Sequence, residues 1–84
     1  MQFVYTVQNK LGLHVVPATQ IAQEAAKFKS VMTISVQNKS ADLKKVFGMV
    51  GLGVKCGESV FIEIQGEDAE IAGETLKKLI EKIL

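Results

Sequence analysis

The chain has no arginine and no tryptophan, and only one histidine, one proline and one cysteine in 84 residues. Each scarcity excludes something. Without arginine there is no bidentate guanidinium clamp, so a phosphate site must use backbone N–H groups, lysine or hydroxyls. The lone cysteine, Cys56, can form no intrachain disulfide. That fits a reducing, cytoplasmic setting, with Cys56 read as a small half-buried loop residue before a strand. One histidine and one cysteine in distant segments make no metal site, and no cofactor motif is present. No glycine loop of the Walker type occurs, and a single histidine gives no Ser/His/Asp arrangement. No apolar run approaches ~18 residues, so no membrane insertion is expected, and the first residues do not read as a signal peptide. Ten basic residues against nine acidic leave a net charge of +1, which gives no electrostatic case for nucleic acid. This length predicts one domain over residues 1–84 with one modest core, too small for a stand-alone enzyme with its own substrate pocket.

What is present is a clear change of period along the chain. Residues 2–8 alternate, with Phe3, Tyr5 and Val7 on one side, and read as a strand with one buried face. Asn9 to Gly12 is a loop. From Val15 to about Phe28 the spacing of Ala18, Ile21, Ala22, Ala25 and Phe28 is helical. Val31 to Gln37 alternates again, and Gln37-Asn38-Lys39-Ser40 reads as a hairpin turn into a very short strand near Ser40. Asp42 reads as the N-cap of a short helix holding Leu43, Val46, Phe47 and Val50. Val46, Phe47, Met49, Val50 and Leu52 exceed what one buried stripe needs, so an exposed apolar patch is expected there. Ser59 to Gln65 is a fourth strand. Asp68 reads as the N-cap of a last helix from Ala69 to near Leu84, striped by Ala72, Leu76, Leu79, Ile80 and Ile83. Glu74 and Lys78, four apart, predict a small helix-surface pair. The order βαββαβα, with one apolar face per strand, predicts an α+β open-faced two-layer sandwich. Its four-stranded, mostly antiparallel sheet is covered on one face by three helices.

The only histidine and the only proline fall three residues apart in Leu11-Gly12-Leu13-His14-Val15-Val16-Pro17-Ala18-Thr19, where strand gives way to helix. The first turn of a helix has N–H groups without internal partners, and its dipole favours negative charge there. A positive charge is disfavoured at that end, and neutral imidazole is the nucleophilic form. A phosphoryl group on His14 would present its oxygens to the backbone amides near Val15 and Val16. Pro17 is at home in the first helical turn. The competing reading of His14, a helix cap or a solvated surface residue, stays open on these residues alone.

Gly12-Leu13-His14-Val15-Val16-Pro17-Ala18-Thr19 resembles the active-site segment of the HPr family, the histidine-containing phosphocarriers of the bacterial sugar phosphotransferase system. The similarity runs over about residues 2–83. It includes Lys44-Lys45-Val46-Phe47-Gly48, Leu52-Gly53-Val54 and Gly66-Glu67-Asp68. The resemblance implies the sandwich just read. It also implies that His14 takes phosphate at Nδ1 from phospho-enzyme I, itself charged by phosphoenolpyruvate, and passes it to a sugar-permease IIA domain. It implies a partner surface around the histidine and on the middle helix, held here by Thr19, Gln20, Val46, Phe47 and Val50. The expected form is a monomer. Two positions depart from the family. The usual arginine two residues after the histidine is Val16. The regulatory serine of many Gram-positive members aligns with Lys45, which a serine kinase cannot phosphorylate.

Two functions of different class follow from this: a phosphocarrier working through His14, or a regulatory homologue working by protein contact with little or no phosphotransfer. Val16 favours the second; the retained His14 favours the first. A weaker third, a small-ligand or RNA-binding domain, has no basic patch behind it.

Overall fold

A computed structural model describes all 84 residues. The elements are β1 (Gln2–Thr6), α1 (Val15–Ala25), β2 (Val31–Val36), β3 (Lys39–Asp42), α2 (Val46–Val50), β4 (Ser59–Gln65) and α3 (Ala69–Ile83). The strands lie in the order β1-β4-β2-β3, and every neighbouring pair is antiparallel.

Register explains why the alternation in the sequence produces one core. Phe3 stands opposite Ile62, Ile62 opposite Ile34, and Ile34 opposite Ala41. Residues directly opposite share a face of the sheet, so these form one row across it. Met32, Ile34, Val60, Ile62 and Ile64 on that face are buried, and the helices close over them. Val4, Val31 and Phe61 point to the other, exposed face. From above, α1 brings Ala18, Ile21, Ala22 and Ala25, while α3 brings Ala72, Leu76 and Ile80. The small side chains of α1 let helix and sheet approach closely. At ~1.5–3 kcal/mol per fully buried Leu or Ile, this shared core outweighs any single polar contact.

Several boundaries differ from expectation, each for a local reason. α1 stops at Ala25, and Ala26 to Phe28 turn away, although Phe28 still packs against the core. The hairpin turn is only Gln37-Asn38, because Val36 pairs with Lys39, and Gln37 takes φ 54°. Asp42 belongs to β3 and caps no helix; its Oδ1 accepts the Lys44 N–H at 2.8 Å, a local bend that ends the strand. Leu43 is buried in the connection, and its N–H donates to the Met32 carbonyl. The cap position of α2 falls on Lys45, whose backbone is extended. Glu74 and Lys78 make no ion pair; the one salt bridge joins Lys27 to Glu24 at 3.2 Å. Cys56 is exposed rather than half-buried, with Sγ 3.6 Å from the Gln8 carbonyl.

Candidate functional site

His14 occupies the cap position of α1 with extended backbone (φ −100°, ψ −173°), and its side chain makes no capping bond. The chain reaches it through a tight loop. Gly12 has φ 69°, and a Cβ there would run into the Val54 carbonyl, so only glycine fits the passage. Leu13 behind it is buried and donates to that same Val54 carbonyl at 3.0 Å. This anchors the residue next to His14 in the core while His14 itself stays half-buried.

Beyond His14 the helix start is unoccupied by protein acceptors. The Ala18 N–H closes the first helical bond onto the His14 carbonyl at 3.1 Å. Pro17 has no N–H to place. The amides of Val15 and Val16 therefore remain as donors without a protein partner. The first turn of α1 also contains no acidic residue. A phosphoryl group on the imidazole would supply the first negative charge at that end of the helix, where two N–H groups and the helix dipole favour it.

Large apolar side chains stand exposed in the loop before His14, at the start of α1 and on α2. Leu11 is 75% exposed, Val15 51%, Val16 58% and Phe47 83%. Val46 and Val50 are half-buried and pack against the core, and Met49 and Leu52 face inward. Of the surplus apolar residues of the middle segment, Phe47 is the one set fully outward. Thr19 is half-buried, and its hydroxyl donates to the Val15 carbonyl at 2.7 Å. Gln20 is exposed and lines a groove between α1 and α3 with Gln23, Lys27 and Lys82. Lys45 is exposed at the start of α2. No cluster of three or more His, Cys, Asp or Glu exists that could hold a metal, and no helix is long and apolar enough to cross a membrane.

Two features escape a reading of the sequence. Asn9, expected as an ordinary loop residue, ties the loop together through its side chain. A signal for part of this exists, since Asn commonly bonds the N–H two residues on. Asp68, expected as a cap, holds the cap position of α3 but makes no capping bond. Its carboxylate instead accepts the N–H of Lys29 at 2.8 Å, the N–H of Ser30 at 3.0 Å, and the Ser30 hydroxyl. Nothing in the local sequence reveals a partner 38 residues away.

Comparison with known proteins relates the whole chain to phosphocarrier proteins. A family model described as "PTS HPr component phosphorylation site" matches residues 1–82. The phosphocarrier protein HPr of Lysinibacillus sphaericus is 36% identical over 76 residues, covering 90% of this chain and 86% of that one. The solved structure of a mycoplasma histidine-containing phosphocarrier protein superposes with a TM-score of 0.95 at 32% identity, covering 98% of this chain and 93% of the other. The Bacillus subtilis catabolite-repression protein Crh, solved as a swapped dimer, matches with a TM-score of 0.79 at 31% identity, over 95% and 92% of the two chains.

Proposed function

The chain belongs to the HPr family, and we propose that it carries a phosphoryl group on His14, from phospho-enzyme I to a sugar-permease IIA domain. The carrying observation is the start of α1: an imidazole at the cap position beside two unpartnered amides, with no acid in that turn. Like the family, the chain is a carrier and not a stand-alone enzyme. The family resemblance assigns the new bond to Nδ1. As it forms from the ring to phosphorus, the donor's bond to phosphorus breaks. Such a transfer asks the protein for alignment and charge stabilisation more than covalent machinery. The Val15 and Val16 amides receive the phosphoryl oxygens, and their value rises once a partner excludes water. With valine at position 16, these amides carry work that the family usually shares with arginine.

Docking falls to the apolar surface of Val15, Val16 and Phe47, flanked by Val46, Val50, Thr19 and Gln20. The protein acts in the cytoplasm as a monomer, and needs no cofactor, metal or nucleic acid. Lys45 places a fixed positive charge where a regulatory serine would stand, so control by serine phosphorylation is closed at that position.

A second reading, a regulatory homologue acting by contact alone, draws on the likeness to Crh and on Val16. The retained His14 and the open amides rank it lower. One experiment separates them. With phosphoenolpyruvate and enzyme I from the same organism, the natural chain should acquire acid-labile phosphate, and His14→Ala should acquire none while folding normally by circular dichroism. No label on the natural chain would favour the regulatory reading.

A further inference from the structure

Four consecutive N–H groups lead up to and include His14, and each has a fixed acceptor. Leu11 donates to Asn9 Oδ1 at 2.9 Å. Gly12 donates to the Asn9 carbonyl at 2.9 Å, Leu13 to the Val54 carbonyl at 3.0 Å, and His14 to the Gly12 carbonyl at 3.1 Å. Two of the four bonds end on Asn9. The same residue is also tied to α3. Its Nδ2 donates to the Ile83 carbonyl at 3.2 Å. Its own N–H reaches the Leu84 carbonyl at 2.6 Å, beside the Gln8 N–H at 2.7 Å. The last carbonyls of a helix have no acceptor role inside it, so they are free for such bonds. Leu84 is buried, which fixes this end of α3.

We infer that Asn9 is a positioning residue for His14, and that the last turn of α3 is through it a support of the site. The inference rests on the reading of His14 as phosphoryl acceptor. Phosphoryl transfer is sensitive to placement, and an error of about 1 Å can cost on the order of 10²-fold in rate. The asparagine amide suits this place because it offers an acceptor to Leu11 and a donor to Ile83 at once. Aspartate would keep only the first and alanine neither, so the two bonds can be separated.

The test compares the natural chain with Asn9→Ala and Asn9→Asp. It reads the saturating rate and half-saturating concentration of transfer from phospho-enzyme I, amide exchange at Leu11, and the thermal midpoint. At a temperature where all three are folded, Asn9→Ala should lower the saturating rate about tenfold and leave the half-saturating concentration within about twofold. Its Leu11 amide should exchange faster. Asn9→Asp should restore slow exchange at Leu11 and recover part of the rate. A folded Asn9→Ala that transfers at the natural rate overturns the inference, and so does a loss confined to the half-saturating concentration. Should Asn9→Ala fail to fold, Asn9→Asp decides: a reduced saturating rate supports the tie to α3, and the natural rate overturns it.

A second arm uses phosphoramidate, a small donor that needs no docking. A His14 ring nitrogen bonds to phosphorus as the P–N bond of phosphoramidate breaks and ammonia leaves. If enzyme I does not charge the natural chain, the carrier reading fails, and this arm alone judges Asn9. Slower loading of the variants then supports the positioning role, and equal loading overturns it.

Discussion

All three helices of this protein begin without a capping bond from the residue at the cap position, and α1 and α3 use that freedom in opposite ways. At α3, Asp68 turns its carboxylate across to the Lys29–Ser30 turn, the Ala69 N–H finds the Gly66 carbonyl at 3.3 Å, and Glu70 supplies an acid to the first turn. In charge that helix start is closed by the chain itself, while the N–H groups of Glu70 and Ile71, like those of Val15 and Val16, have no protein acceptor. At α1, His14 caps nothing, Val15 and Val16 donate to no protein group, and no acid complements the dipole. On the proposed function, an end left without an acid, next to His14 and after four N–H groups from Leu11 to His14 that all have acceptors, is where a transient anion is received. At α3 the chain itself supplies the negative charge, through Glu70.

The largest effect is expected on the closed side. Gly66 has φ 149°, and a Cβ there would lie 2.6 Å from the Ser30 hydroxyl oxygen and 2.8 Å from Ser30 Cα. Gly66→Ala should therefore combine backbone strain with a clash at the staple, and destabilise the fold by about 2–4 kcal/mol. Urea unfolding checks this, and a change below about 1 kcal/mol would mean that the two segments can part without penalty. The charging of His14 in the remaining folded protein should be unaffected, because the α1 start is untouched.

The next effect belongs to the open side. Val15→Pro removes one of the two amides while keeping the helix, because proline suits the first helical position and His14 is already extended. Unfolding should shift little, but transfer to His14 should slow by about 10–10²-fold, as for loss of one donor to developing charge. Val15→Ala, which trims the side chain and keeps the N–H, separates the amide from docking. If single-turnover rates of the two variants match, the amide is not what receives the phosphoryl group.

Much of this contrast is legible in the amino-acid sequence. Strict alternation in β1, β2 and β4 and the helical stripes of α1 and α3 fix the layers, because one buried face leaves little choice of register. His14 at a strand-to-helix junction follows from local pattern alone, and the HPr motif gives it a task. Two of the failures share a cause. Asp42 and Asp68 both carry a side chain that caps helices, and both spend it elsewhere: on Lys44 two residues away, and on Ser30 across the fold. A carboxylate near a helix start offers bonds to several N–H groups, and tertiary geometry selects among them. Asn9 is hidden for the same reason, since the carbonyls it meets belong to the far end of the chain.

Asp68 also gives the comparison a pH axis. The Ser30 hydroxyl, and after it the Lys29 N–H, hold its carboxyl below the ordinary value, against a smaller opposing effect of burial. A group whose folded value is depressed contributes stability above its unfolded value, near 3.9, and loses that contribution as pH falls through the folded one. Asp68→Asn should therefore lower the urea midpoint most at neutral pH, and the gap to the natural chain should close as pH drops below about 4. A gap that stays constant with pH would assign the staple to hydrogen-bond geometry and not to charge. Transfer to His14 at neutral pH should be the same in both proteins, because the negative charge at α3 is permanent and internal. On the proposed function the one at α1 arrives with the phosphoryl group and leaves with it, so the amides that contribute to transfer are those of the α1 start.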